Sequence, residues 1–81
     1  MVALASHSKK LLRAVSSDPR RLGGTPVFAR TRVPVRSLFT YLRKGISIEQ
    51  FLRDFEGVTR TQVDAVLKSA ETGVLNLAGR K

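Results

Sequence analysis

The chain contains no cysteine and no tryptophan, and its single histidine is His7. Without cysteine there is no disulfide, no thiol nucleophile and no thiolate metal site. One histidine in a polar opening stretch, with carboxylates scattered along the sequence, makes neither a nucleophile–base pair nor a clustered set of metal ligands. The chain therefore reads as non-enzymatic, with no catalytic residue, metal or cofactor expected. Long apolar runs are missing as well, none approaching the roughly 20 residues of a membrane span. No membrane partner is expected, and the cytoplasm is the expected location. A length of 81 residues holds one domain with a modest core.

Acidic residues are scarce. Six Asp and Glu face fifteen Lys and Arg, for a formal net charge of +9, and the isoelectric point near 11.5 is far beyond what solubility requires. The excess is not spread evenly. Residues 1–44 carry ten basic side chains against the one acid Asp18, whereas residues 45–81 carry five of each sign. A polyanionic partner is implied, and its footprint is expected to begin in the first half. The stretch from Met1 to Val15 is basic, contains serine and lacks acids. An organelle presequence is one reading of it. The preferred one makes residues 1–11 a basic arm.

Beyond residue 33 one apolar spacing occurs three times. Val35, Leu38, Phe39 and Leu42 fall at i, i+3, i+4 and i+7, and so do Ile48, Phe51, Leu52 and Phe55, then Val63, Val66, Leu67 and Ala70. At 3.6 residues per turn each set lies on one helix face. Pro34 suits a first helical turn. Gly45, Gly57 and Gly73 are read as helix stops, and Ser47 with Gln50 and Thr59 with Gln62 as capping boxes. Helices are predicted at about 34–44, 47–55 and 59–72.

Ahead of them, Asp18-Pro19 and Gly23-Gly24 are turn signals. From Pro26 to Val33 the chain alternates with a period of two, bent near Arg30, and Leu12–Ser16 offers a short partner strand. The fold class is mainly α: a three-helix, helix-turn-helix bundle preceded by short β-strands. Domain organisation follows as an arm at 1–11, the strands and helices at 12–73, and a tail at 74–81. An exposed strand edge invites a second copy, so a homodimer is expected.

The second and third predicted helices are joined by the short Glu56-Gly57-Val58 turn, the helix-turn-helix arrangement, whose second helix offers its first residues to base edges in the major groove. Arg60, Thr61, Gln62 and Lys68 point away from the apolar stripe. Arg60 suits guanine, Gln62 adenine and Lys68 a phosphate. An ordinary surface is the other reading, in which Gln62 completes a cap and Asp64 pairs with Lys68 at i,i+4. A further row of cations, Arg30, Arg32, Arg36, Arg43 and Lys44, is expected to contact the duplex backbone. Arg36 and Arg43 lie seven residues apart on one helix face. Val74, Leu75 and Leu77 continue beyond Gly73 without a clear period and are the candidate protein-partner residues.

Asp18-Pro19, Gly23-Gly24-Thr25-Pro26-Val27-Phe28, Thr31-Arg32-Val33-Pro34-Val35 and Gly45-Ile46-Ser47-Ile48-Glu49-Gln50 together resemble domain-of-unknown-function family 433. Leu52, Phe55, Val58-Thr59 and Val63 continue the likeness, which covers about residues 12–72. The resemblance implies a homeodomain-like DNA-binding fold and a DNA-binding antitoxin of a type II toxin–antitoxin system. Such a protein neutralises a PIN-like ribonuclease toxin and represses its own operon through operator DNA. Arg30 stands where the family usually has glycine, and Arg20 where it often has an acid. A glycine there would permit positive φ, which costs other residues about 1 kcal/mol or more. An alternative function remains open: a module that binds an acidic protein partner and never touches DNA.

Overall fold

A computed structural model describes Leu11, residues 13–17 and residues 24–78. Most of the basic arm, the Asp18-Pro19 turn, Arg20, Gly23 and the last three residues lie outside the described residues. Strand β1 (Val15–Ser16) pairs antiparallel with β2 (Val27–Phe28), Val15 opposite Phe28 and Ser16 opposite Val27. Three helices follow: α1 (Val35–Arg43), α2 (Ile48–Asp54) and α3 (Arg60–Ala78). The mainly helical class with a short sheet in front is the one expected from the sequence.

β2 continues into a tight reversal. The Thr31 N–H donates to the Phe28 carbonyl at 3.0 Å, and the Phe28 N–H donates to the Val33 carbonyl at 2.9 Å. Thr31 Oγ1 also donates to the Phe28 carbonyl at 2.8 Å and accepts from the Val33 N–H at 3.0 Å. Arg30, third in this turn, has φ +63°, and among the described residues no other non-glycine has a positive φ. A positive φ at that position alone is the type II pattern, which glycine adopts without strain. The chain makes the turn with arginine all the same, at about 1 kcal/mol.

The reversal lays Pro34 against Val27, so the outer edge of β2 is already occupied. Among the described residues nothing pairs with the other edge of β1. Pro34 stands one residue outside α1, in extended conformation, rather than within its first turn. The Val35 N–H, one of those a helix start leaves without a helical partner, donates to the Pro26 carbonyl at 3.0 Å.

At the other end of α1, Gly45 has φ +79°. The Ile46 N–H donates to the Tyr41 carbonyl and the Gly45 N–H to the Leu42 carbonyl, both at 3.0 Å. That pair of bonds is a Schellman stop. Gly57 works differently from the helix stop predicted for it. Its φ is not in the left-handed region, and an added Cβ would stand 3.3 Å from Thr31 Cγ2. Its bare backbone lets the turn after α2 pack close to the reversal.

Phe28, Leu38, Phe51, Val58, Val63 and Val66 form the buried core, one or more from each of β2, α1, α2, the α2–α3 turn and α3. Phe51 is its hub. Its ring lies 5.9 Å from Phe28, 5.2 Å from Tyr41 and 4.9 Å from Phe55, centroid to centroid, all tilted or edge-on. Such tilted pairs add to the area term. The three apolar stripes account for most of this packing, with Ala70 the exception, since it is exposed.

α3 overturns one boundary. Gly73 was expected to end it, but the helix runs through Gly73 to Ala78. An exposed glycine inside a helix costs only about 1 kcal/mol relative to alanine, and Gly73 has no positive φ and open space where a Cβ would stand. Part of the expected tail is therefore the end of α3.

Candidate nucleic-acid interface

The start of α3 is fixed by a reciprocal cap. Thr59 Oγ1 accepts from the Gln62 N–H at 3.2 Å, and Gln62 Oε1 accepts from the Thr59 N–H at 2.9 Å. This satisfies two backbone donors that the first turn would leave open. The corresponding pair before α2 is only half formed. Ser47 Oγ accepts from the Gln50 N–H at 3.1 Å, but the Gln50 side chain turns the other way, donating to Asp54 Oδ1 at 2.8 Å and accepting from Arg53 at 3.0 Å.

Gln62 itself is a correction. Its place near the start of the helix suggests an adenine reader, yet it is only 5% exposed. Its Nε2 donates to the Ala29 carbonyl at 3.0 Å, its Oε1 holds the cap, and no free amide edge remains for a base. A buried polar group needs such partners. Gln62 ties α3 to the reversal that carries Arg30.

The other predicted contacts divide. Arg60, Thr61 and Lys68 are exposed on α3. Arg60 is engaged by Glu49 of α2, Nη2 to Oε2 at 2.9 Å. The Glu49 carboxyl is held below its ordinary range, first by its own backbone N–H and then, against partial desolvation, by Arg60. An exposed pair of this kind stabilises little and leaves Arg60 free to exchange partners. Asp64 and Lys68, which the ordinary-surface reading would pair at i,i+4, make no ion pair; among the described residues the one ion pair is Arg60–Glu49.

Thr61 and Lys68 line an open groove of about 740 Å³, together with Arg13, Ala14, Arg30, Thr59, Gln62, Asp64 and Ala65. The groove exists because Ala14 accepts from the Ala29 N–H at 2.8 Å. That bond holds the segment before β1 beside the reversal, and Gln62 holds the reversal beside α3. Arg30 is thus brought to the helix-turn-helix unit. Arg13 arrives with it, a residue with no predicted role beyond its place in the expected partner strand Leu12–Ser16, of which only Val15–Ser16 is strand while Arg13 and Ala14 are helical.

Arg32, Arg36, Arg43 and Lys44 are all exposed but do not line the groove. Arg36 and Arg43 share the outer face of α1, as their spacing predicts. Val74, Leu75 and Leu77 are 64%, 60% and 69% exposed on the last turns of α3, which projects past the core. Among the described residues no group of three His, Cys, Asp or Glu could hold a metal ion, and no helix is long and apolar enough to cross a membrane.

The family described as a protein of unknown function (DUF433) matches residues 15–70. Among solved structures, a DUF433 member protein from Anabaena variabilis ATCC 29413 superposes with a TM-score of 0.67 at 21% identity. The likeness covers 95% of this chain and 76% of that one, and at that identity it concerns the fold alone. No curated protein matches the sequence.

Proposed function

The chain belongs to the DUF433 family, and we propose that it is a DNA-binding antitoxin that represses its own operon and neutralises a PIN-like ribonuclease toxin. The observation that carries the DNA half is the exposed start of α3, presented by a short turn after α2 and flanked by Arg30 and Lys68, which have no carboxylate partner among the described residues. Arg60 and Thr61 are the base-facing candidates, with Gln62 removed from that set. Arg30, Arg32, Arg36, Arg43, Lys44 and Lys68 supply backbone contacts. The toxin half follows from the resemblance read in the sequence, and the exposed Val74, Leu75 and Leu77 support it as a surface for a protein. The active species we propose is a homodimer, the edge of β1 that no described residue pairs being one place for two copies to meet.

Replacing Arg36 and Arg43 together by alanine tests the backbone assignment. Each phosphate contact contributes about 0.9 to the slope of log affinity against log salt. The double variant is expected to weaken binding to every duplex alike and to flatten that slope by nearly 2. Unchanged affinity and slope would remove α1 from the interface.

A module that binds only protein is the second reading, and the same exposed apolar residues favour it. It predicts stable co-purification with an acidic partner and no salt-dependent affinity for duplex DNA.

A further inference from the structure

Three cations reach the groove beside α3 from three separate parts of the chain: Arg13 from the segment before β1, Arg30 from the reversal after β2, and Lys68 from α3. Among the described residues none of the three has an ion-pair partner within 4 Å. Among the described residues the single acid in the lining is Asp64, which leaves them a local excess of two positive charges. Thr61 adds a hydroxyl to the same wall. Arg32, Arg36, Arg43 and Lys44 are likewise exposed without an ion-pair partner among the described residues, but they do not line this groove. What distinguishes the groove is that cations from three separate chain segments converge on one open space of about 740 Å³.

Arg30 has a second peculiarity. It occupies a left-handed backbone position, φ +63°, that glycine would fill without strain. Sparsely populated conformations persist where the surroundings over-determine them, and they concentrate at binding sites. The surroundings here are explicit: Ala29 is pinned on its N–H side by Ala14 and on its carbonyl side by Gln62. The turn is held whichever residue occupies position 30, so the arginine contributes its guanidinium rather than its backbone.

We propose that this groove is a phosphodiester-binding site. In it Arg13, Arg30 and Lys68 hold the sugar–phosphate backbone of a DNA strand beside the helix that faces the bases. The assignment rests on the DNA-binding reading above and adds to it a specific place and a residue, Arg13, from outside the helix-turn-helix unit. The groove fixes the register of the duplex against α3 and is indifferent to sequence, as phosphate contacts are.

The test is a set of salt titrations of duplex binding on full-length chains: wild type, Arg30→Gly, Arg13→Ala and Arg53→Ala. Arg30→Gly relieves the positive φ, so its melting temperature should equal or exceed that of the wild type, and a loss of binding cannot then be ascribed to misfolding. Its salt slope should fall by about 0.9, which corresponds to roughly fivefold weaker binding at 0.15 M salt. Arg13→Ala should behave in the same way on a different element. Arg53→Ala removes the same charge from α2, outside the groove, and should keep the wild-type slope. If the wild type binds duplex DNA while Arg30→Gly and Arg13→Ala retain its slope, the groove assignment is wrong and the DNA reading stands. Equal flattening in Arg53→Ala would also overturn the groove, since any lost cation would then serve. A wild type with no salt-dependent affinity for duplex overturns both.

Discussion

Gln62 Nε2 donates to the Ala29 carbonyl at 3.0 Å across 33 residues of sequence, while the Oε1 of the same side chain accepts from the Thr59 N–H. One buried amide thus caps α3 and fastens it to the reversal after β2. The relative placement of Arg30 and the exposed start of α3 depends on this double use.

Substitutions at Gln62 and Thr59 separate the two roles. Thr59→Ala removes only the hydroxyl of the cap and should cost about 1 kcal/mol. Gln62→Ala removes the other half of the cap and also leaves the Ala29 carbonyl without its partner, so it should cost about 2–3 kcal/mol. Urea unfolding of both variants measures the difference. Equal losses would mean that the bond to Ala29 contributes nothing.

Much of this was legible from the residues alone, because helix periodicity and caps are local. Leu38, Phe51, Val63 and Val66 are buried as their spacing demands, and Thr59–Gln62 forms the predicted box. Gln62 illustrates the limit: its pattern announced a cap, but a partner 33 residues earlier belongs to tertiary packing that no window of sequence contains. Gly73 fails for the opposite reason. Its local signal said stop, but the signal is weak when the glycine is exposed and apolar helix formers follow. The meeting of Arg13, Arg30 and Lys68 likewise depends on the β1–β2 register, which sets which residues face each other across chain segments far apart in sequence.

The Tyr41–Asp54 contact joins α1 to α2 and makes stability depend on pH at both extremes. The Tyr41 hydroxyl donates to Asp54 Oδ2 at 2.7 Å and Gln50 Nε2 donates to Oδ1 at 2.8 Å. These bonds, Tyr41's first, hold the Asp54 carboxyl below its ordinary 3.8. The same bond to Asp54 pushes the Tyr41 phenol above 10.0. Asp54 contributes its stability above its unfolded value and loses it as pH falls through the lower folded one. Tyr41 contributes below 10.0 and loses its share as pH rises through the higher folded value. The stability difference between wild type and Tyr41→Phe should therefore be flat between about pH 5 and 9 and shrink on either side. A difference that stays constant at both ends in urea unfolding would contradict the assignment.

Gly73→Ala bears on the extension of α3. An alanine Cβ there meets nothing within 4 Å, and the position is helical with ordinary φ. The substitution should stabilise the chain by about 0.5–1 kcal/mol and raise its helix content. A destabilised variant would show that Gly73 lies in a packed contact or that the helix ends before it.

Sequence-selective binding of duplex DNA through α3 is tested most directly by fluorescence anisotropy. A labelled duplex from the region upstream of the gene is compared with a scrambled duplex of equal length at two salt concentrations. Preference for the native duplex that persists at the higher salt, where non-specific backbone affinity has largely gone, is the predicted result. Equal binding to both duplexes, lost together as salt rises, would contradict it and leave a basic surface without a reader.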